Sequence, residues 1–433
     1  MKKLKLSKYF NTLSVAALSS FLAVAPIANA AENNLPQETK TLIKQGYFNQ
    51  KLFLDPVTGE SNKGQSIQLS RNEDSVSNLN KAHSVGSLRM IGEQRIPLKQ
   101  EFQGTIVGGL SGISYDSKSN TWAMISDDRS VNSPARFYTA ELNYDDKSFS
   151  SVQLNGVKFL KQPDGTNYPN QTQYTTQGGE VPDFEAIRLD PKDGSVWYTS
   201  EGNRSLGLNP FVRHATIDGK YLSALPLPEI FKVSPKTEIG SRDNLTFEGM
   251  TFAPNGKSLW VSMEAPLYQD GPVPTVNSGA FSRITQYDRS GNMLAQYAYP
   301  IEPIPAAPAP GKSADNGVSD ILAVNDHKLL TIERAGVQGA DGSYKNFIRI
   351  YEIDTHGASN ISNISLQGSK FKPVKKRLVL DLTTLGLSKL DNIEGISWGR
   401  KLANGHDSLV LVSDDNFNPS QVTQFLVFEV LPK

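Results

Sequence analysis

The sequence contains no cysteine. That excludes disulfides, thiolate metal sites, a cysteine nucleophile and a lipidated N-terminal cysteine. Histidine is nearly as scarce: His83, His214, His327, His356 and His406 lie far apart, and no HxxEH-type pair exists. There is no phosphate-binding loop and no dinucleotide fingerprint. An excess of either charge is missing too, because 44 Lys and Arg face 44 Asp and Glu with no basic run. A chain of that kind is not built to hold a phosphate backbone, so nucleic acid is not an expected partner. Beyond residue 30 no apolar stretch reaches the roughly eighteen residues of a membrane helix, and no membrane span is expected.

What is present is a chain of 433 residues, 38% hydrophobic, long enough for one large packed domain. Residues 1–30 read as an export signal: Lys2, Lys3, Lys5 and Lys8, an apolar run around Leu13–Ile27, then Ala28-Asn29-Ala30. The expected location is therefore periplasmic or secreted. Removing that signal takes four lysines and leaves 40 basic against 44 acidic residues. Residues 31–85 read as a polar N-terminal extension, and 86–433 as the folded domain.

Five segments of that domain superpose. They are GLSGISYDSKSNTWAMISDD from Gly109, DFEAIRLDPKDGSVWYTSEGN from Asp183, TFEGMTFAPNGKSLWVSMEA from Thr246, GVSDILAVNDHKLLTIERAG from Gly317, and NIEGISWGRKLANGHDSLVLVSDD from Asn392. Each alternates apolar residues, turns at Gly, Asn, Asp or Lys, and resumes an apolar run that ends in a carboxylate, which describes a β-hairpin. A third strand follows each hairpin and a fourth follows most. Four antiparallel strands per unit describe a β-propeller, an all-β fold. Five blades are counted, with six possible if 35–85 hides another. The last unit has only three strands, so SLRMIGEQRIP at 87–97 is expected to supply its fourth and close the ring. Trp122, Trp197 and Trp260 recur at one place in the hairpins and are expected in the blade cores. The segments 161–182 and 301–316 read as long loops, with a lid role as one reading and plain surface as the other.

The polar positions of the repeat carry the chemistry. Ser111, Glu185, Glu248, Ser319 and Glu394 share one register, followed in the fourth unit by Asp320. Asp127, Glu201, Glu264, Glu333 and Asp414 end the second strand of each unit. Strand propensity does not put acids there, so these carboxylates are expected to converge on the propeller axis. Arg136, Arg213, Arg283 and Arg349 open the third strand in four units, and Arg129, Arg204 and Arg334 follow the strand-end acid in three. Two readings stand side by side. In one, arginines and carboxylates form a self-neutralising girdle that fixes the blades. In the other, surplus acid binds a hard cation, Ca²⁺, at Asp127, Asp128, Glu201, Glu264, Glu333, Asp414 and Asp415. Glu185, Glu248 and Glu394 would then activate water, and Arg136, Arg213, Arg283 and Arg349 would contact an anionic small-molecule ester. Ser111 lies in Gly-Gly-Leu-Ser-Gly, which departs from Gly-x-Ser-x-Gly and precedes a strand, so a small residue is expected there instead of a nucleophile.

GGLSGISYD, ISDDR, DFEAIRLDP, SEGN, NLTFEGMTF, SDILAVND, IERAG, DNIEGISW and LVSDDNFNPSQ, taken in order, resemble the bacterial exported family called esterase-like activity of phytase, or phytase-like. The resemblance covers about residues 90–430. It implies a β-propeller, export and hydrolysis of phosphate or carboxyl esters; it supplies no catalytic residues to carry over. Two alternatives to an ester hydrolase remain: a non-catalytic propeller that binds a ligand or partner, and a Ca²⁺-dependent lactonase-type propeller. A monomer is expected.

Overall fold

The computed structural model describes residues 82–433. The expected export signal, and the expected extension up to residue 81, lie outside the described residues. Within them the chain forms a five-bladed propeller of four-stranded antiparallel sheets. The first strands of blades I to V are Leu110–Asp116, Phe184–Leu189, Phe247–Phe252, Gly317–Ala323 and Asn392–Trp398, and they neighbour one another around the axis. The second strands, Thr121–Ser126, Val196–Ser200, Ser258–Met263, Lys328–Gln338 and Asp407–Asp414, run back toward the end where the first strands begin.

The ring closes as the sequence suggests. Ser87–Ile96 is the outer strand of blade V, paired antiparallel with Thr423–Leu431 from Ser87 opposite Leu431 to Ile96 opposite Thr423. The last-made blade is thereby completed by the first strand of the domain, which leaves no open edge at the seam.

Hydrophobic burial is divided among the blade interfaces instead of gathering in one centre. Trp122, Met124 and Tyr138 of blade I pack on Val410, Val412 and Phe425 of blade V. Phe137 and Ile125 meet Phe184 and Tyr198 between blades I and II, and Trp197 meets Phe247 and Leu259 between II and III. Trp260 and Tyr299 meet Ile321 and Leu329 between III and IV; Leu330 and Ile350 meet Ile396 and Phe428 between IV and V. The three repeated tryptophans are thus core residues, each at most 4% exposed.

Five blades leave a narrow axis, and the first strands approach closely. A Cβ on Gly112 would stand 2.5 Å from the Glu185 carbonyl oxygen and 2.9 Å from the Ile187 nitrogen, both backbone of the next blade. Gly112→Ala must therefore part blades I and II. A loss of about 1–3 kcal/mol in urea unfolding is expected, and an unchanged midpoint would refute this reading of the contact.

Deeper along the axis the channel is tied across. Arg188 of blade II donates to both carboxylate oxygens of Asp320 on blade IV at 2.8 and 2.9 Å. It also donates to the carbonyls of Ile113, Ile321 and Ile396, on blades I, IV and V. One guanidinium therefore joins first strands from four blades.

Candidate metal centre in the axial cavity

Every first strand carries an irregularity at the repeated polar position. Pairing skips between Leu110 and Gly112, Phe184 and Ile187, Phe247 and Met250, Val318 and Asp320, and Ile393 and Gly395. The skipped residues include Ser111, Glu185, Glu248, Ser319 and Glu394. A β-bulge puts an extra residue on one strand and re-aims its side chain, a device common beside active sites. Here the three glutamates reach the axial cavity. The two serines instead donate to the next blade, Ser111 to the Phe184 carbonyl at 2.8 Å and Ser319 to that of Ile393 at 3.3 Å.

The cavity has a volume of about 470 Å³. Nine carboxylates line it: Asp127, Asp183, Glu185, Glu201, Glu248, Glu264, Asp315, Glu394 and Asp414. Only two arginines, Arg129 and Arg334, stand among them, with no lysine. They come from blades I and IV, the two whose bulge carries Ser in place of Glu. Arg129 grips Asp183 through two hydrogen bonds of 2.6 and 2.7 Å. Arg334 donates to Glu264 at 3.1 Å and lies 3.5 Å from Glu394.

Burial in a field of like charge raises these carboxyls. Burial and then Glu248 push Glu185 well above its ordinary value; burial and then Glu201 do the same for Glu248. Glu201, Asp127 and Asp414 are also raised well above theirs, first by burial and then by Asp183, Asp414 and Glu394 respectively. Burial outweighs the arginines at Asp183, raised to about 6, and at Glu264 and Glu394, each raised to about 7. Such a cluster is short of positive charge.

The sequence-derived sites divide cleanly. Glu185, Glu248, Glu394, Asp127, Glu201, Glu264 and Asp414 meet in the cavity. The rest lie elsewhere, because each is consumed by a partner. Asp128 accepts from the backbone of Val131, Asn132 and Ser133 and pairs with Arg136 at 2.8 Å. Glu333 accepts from Tyr299 and pairs with Lys376. Asp415 accepts from the Gly109 and Phe417 N–H groups and the Thr423 hydroxyl. Of the other third-strand arginines, Arg213 holds Glu180, Arg283 holds Asp270 in a fully buried pair, and Arg349 faces Asp381 at 3.4 Å. These four arginines pair within the fold with acids outside the two registers, so they do not make the expected girdle with the register carboxylates; none lines the cavity. Segment 161–182 contains the short helix Gln171–Gln177 and contributes no lining residue, whereas 301–316 delivers Asp315.

Asp183, Asp315, Asn244, Asn346 and Asn392 are not marked by the two registers of acids. Asp183 and Asn392 each precede the repeated glutamate by two residues, a spacing that does recur. The cavity lip is strained: Asn416 and Phe417 both have positive φ, 46° and 51°, as does Asn244 at 53°. Consecutive non-glycine residues in that region cost about 1–3 kcal/mol each. Phe417 is held against Gly108 and Gly109, and Gly109 (φ 63°) leaves room for Asp127, whose Oδ1 would stand 2.1 Å from any Cβ there.

The family model described as phytase-like, esterase-like activity of phytase, matches residues 105–417. The chain belongs to the phytase-like family. The match spans all five first strands and every carboxylate of the cavity. No curated relative matches this phytase-like chain by sequence. Among solved structures it is similar to a putative glucose dehydrogenase from Thermus thermophilus, at 12% identity and TM-score 0.34, over 80% of this chain and 97% of that one. It is also similar to an endo-arabinanase from Bacillus licheniformis, at 13% and 0.34, over 74% and 94%. A mannose phosphorylase from Leishmania mexicana matches at 9% and 0.35, over 82% and 91%. Likeness at this level says nothing of the chemistry of the phytase-like chain.

Proposed function

We propose that this chain hydrolyses phosphate or carboxyl esters in the axial cavity with the help of a carboxylate-held divalent cation, Ca²⁺ first among them. One observation carries the reading: Glu185 and Glu248, 8% and 6% exposed, line the cavity, and their carboxylates accept no hydrogen bond among the described residues. Buried carboxylates are ordinarily paired, and all-oxygen donor sets suit Ca²⁺. Asp183 and Glu185 with Glu201, and Glu248 and Glu264 with Glu201, offer ligand oxygens within 4.8 Å of one another. When bound, the cation would supply a Lewis acid for an ester oxygen and favour deprotonation of a nearby water.

Glu394 belongs to neither set. The Asn392 amide donates to its Oε1 at 2.9 Å, and its carboxyl, raised to about 7, is matched to proton transfer near neutral pH. It is assigned the role of general base. Arg129 and Arg334 are the cavity's arginines for an anionic substrate group; Arg129, held by Asp183, has the more exposed side chain, and Arg334 is held by Glu264 beside Glu394. In this reading the protein is exported, periplasmic or secreted, and works as a monomer on a small-molecule ester.

Turnover of p-nitrophenyl phosphate and p-nitrophenyl acetate, with and without chelator, tests the reading. Chelator-sensitive turnover of either is expected, and Glu394→Gln is expected to lower kcat by about a hundredfold while bound metal is unchanged. Absence of both metal and turnover would sink the enzyme reading and leave a binding propeller. Turnover of lactones alone would replace it with a lactonase.

A further inference from the structure

We infer that the acidic half of the cavity holds two divalent cations side by side, with Glu201 shared between them. The inference rests on the cation-dependent reading above and adds the number of ions and the residue that links them. Two groups of three carboxylates meet there, Asp183, Glu185 and Glu201 in one, and Glu201, Glu248 and Glu264 in the other. Within each group the ligand oxygens lie within 4.8 Å of one another. The five residues do not close into one group at that spacing. Oxygen ligands of Ca²⁺ stand about 2.3–2.6 Å from the ion, so atoms farther apart than about 5 Å cannot share one.

The two groups are built alike. Each has one first-strand glutamate on a bulge, Glu185 or Glu248, buried and with a carboxylate that has no hydrogen-bond partner among the described residues. Each has one outer carboxylate oriented by an arginine, Asp183 by Arg129 at 2.6 and 2.7 Å and Glu264 by Arg334 at 3.1 Å. The shared residue is oriented too, since the Thr246 N–H donates to Glu201 Oε1 at 2.5 Å. Ligating carboxylates are held by outer hydrogen bonds in this way. Glu185 and Glu248, both buried and without a hydrogen-bond partner among the described residues, fall in separate groups, so each calls for an ion of its own.

Calcium titration of the full chain by calorimetry, with ions counted by native mass spectrometry, decides the point. Two Ca²⁺ per chain are expected. Glu185→Gln and Glu248→Gln are each expected to remove a different one, and Glu201→Gln to weaken both by about tenfold to a hundredfold. Circular dichroism establishes that the variants fold; should Glu201→Gln fail to do so, the Glu185 and Glu248 pair decides alone. A single ion lost equally in Glu185→Gln and Glu248→Gln would overturn this inference and leave the cation-dependent hydrolase intact. No ion at all would overturn both.

Discussion

Replacing Asp320 by alanine is expected to lower the unfolding free energy by about 3–5 kcal/mol, the range for stranding one member of a buried ion pair. Asp320 is 1% exposed and Arg188 4% exposed, so the guanidinium left behind cannot turn to water. More than the pair is lost. Asp320 also accepts the N–H of Ile321 at 2.8 Å and of Ile396 at 2.9 Å, and both donors would be left unsatisfied. Burial outweighs Arg188 and holds the Asp320 carboxyl above its ordinary value, so desolvation is the larger force on this acid. It follows that the ion pair is a poor source of net stability and a strong source of register. The double variant Arg188→Met, Asp320→Leu removes both charges and is expected to recover part of the loss. Full recovery is not expected, because the carbonyls of Ile113, Ile321 and Ile396 lose their donor. Calorimetry should show Asp320→Ala melting roughly 4–7 °C lower. Equal losses in the single and double variants would show that the stranded charge is not the cause.

Arg188 also marks where sequence reading stops. The hairpins were legible because alternation and the Asp-Gly and Asn-Gly turns act within a few residues. The two registers of acids were legible because the repeat sets five strands side by side, and seven of the proposed carboxylates do meet. The bulges were not legible. They displace a residue within a strand whose period of two looks unbroken, and only pairing with the second strand exposes them. The third-strand arginines share a register as firmly as the acids, yet their partners are not the acids of the two registers. Arg136 meets Asp128, just past the strand-end acid, and Arg349 faces Asp381, at the end of a fourth strand. Arg213 meets Glu180, and Arg283 meets Asp270, residues that belong to no repeat position. A recurring arginine therefore reads the same whether it faces a ligand or staples a loop. Asp183 is held in register, its carbonyl accepting from the Glu201 N–H, but Asp315 enters the cavity from the segment before a first strand, where position depends on the path of the loop.

Metal-free protein is expected to lose stability as pH rises from about 4 through about 7, the reverse of the usual behaviour of paired carboxylates. The direction follows from the raised carboxyls. Asp183 moves from 3.8 to about 6, and Glu264 and Glu394 from 4.5 to about 7. Between those values the folded chain keeps protons that the unfolded chain has released, so raising the pH favours unfolding. The loss is complete once pH exceeds the folded values. For an independent group, a tenfold difference in proton affinity between folded and unfolded chain is worth about 1.4 kcal/mol, though neighbouring acids do not add. A fall in Tm of roughly 10 °C across that range is expected for chelated protein. Calcium should oppose it most where the fall is deepest. At about pH 8 the ligands are free of protons and saturating Ca²⁺ at a hundredfold its Kd adds about 2.7 kcal/mol, whereas near pH 5 the ion must displace protons first. Differential scanning calorimetry at several pH values, with chelator and with calcium, checks both halves. A flat profile in chelator would mean the nine carboxylates are neutralised within the protein, and a calcium shift larger at low pH would place the ion outside this cavity.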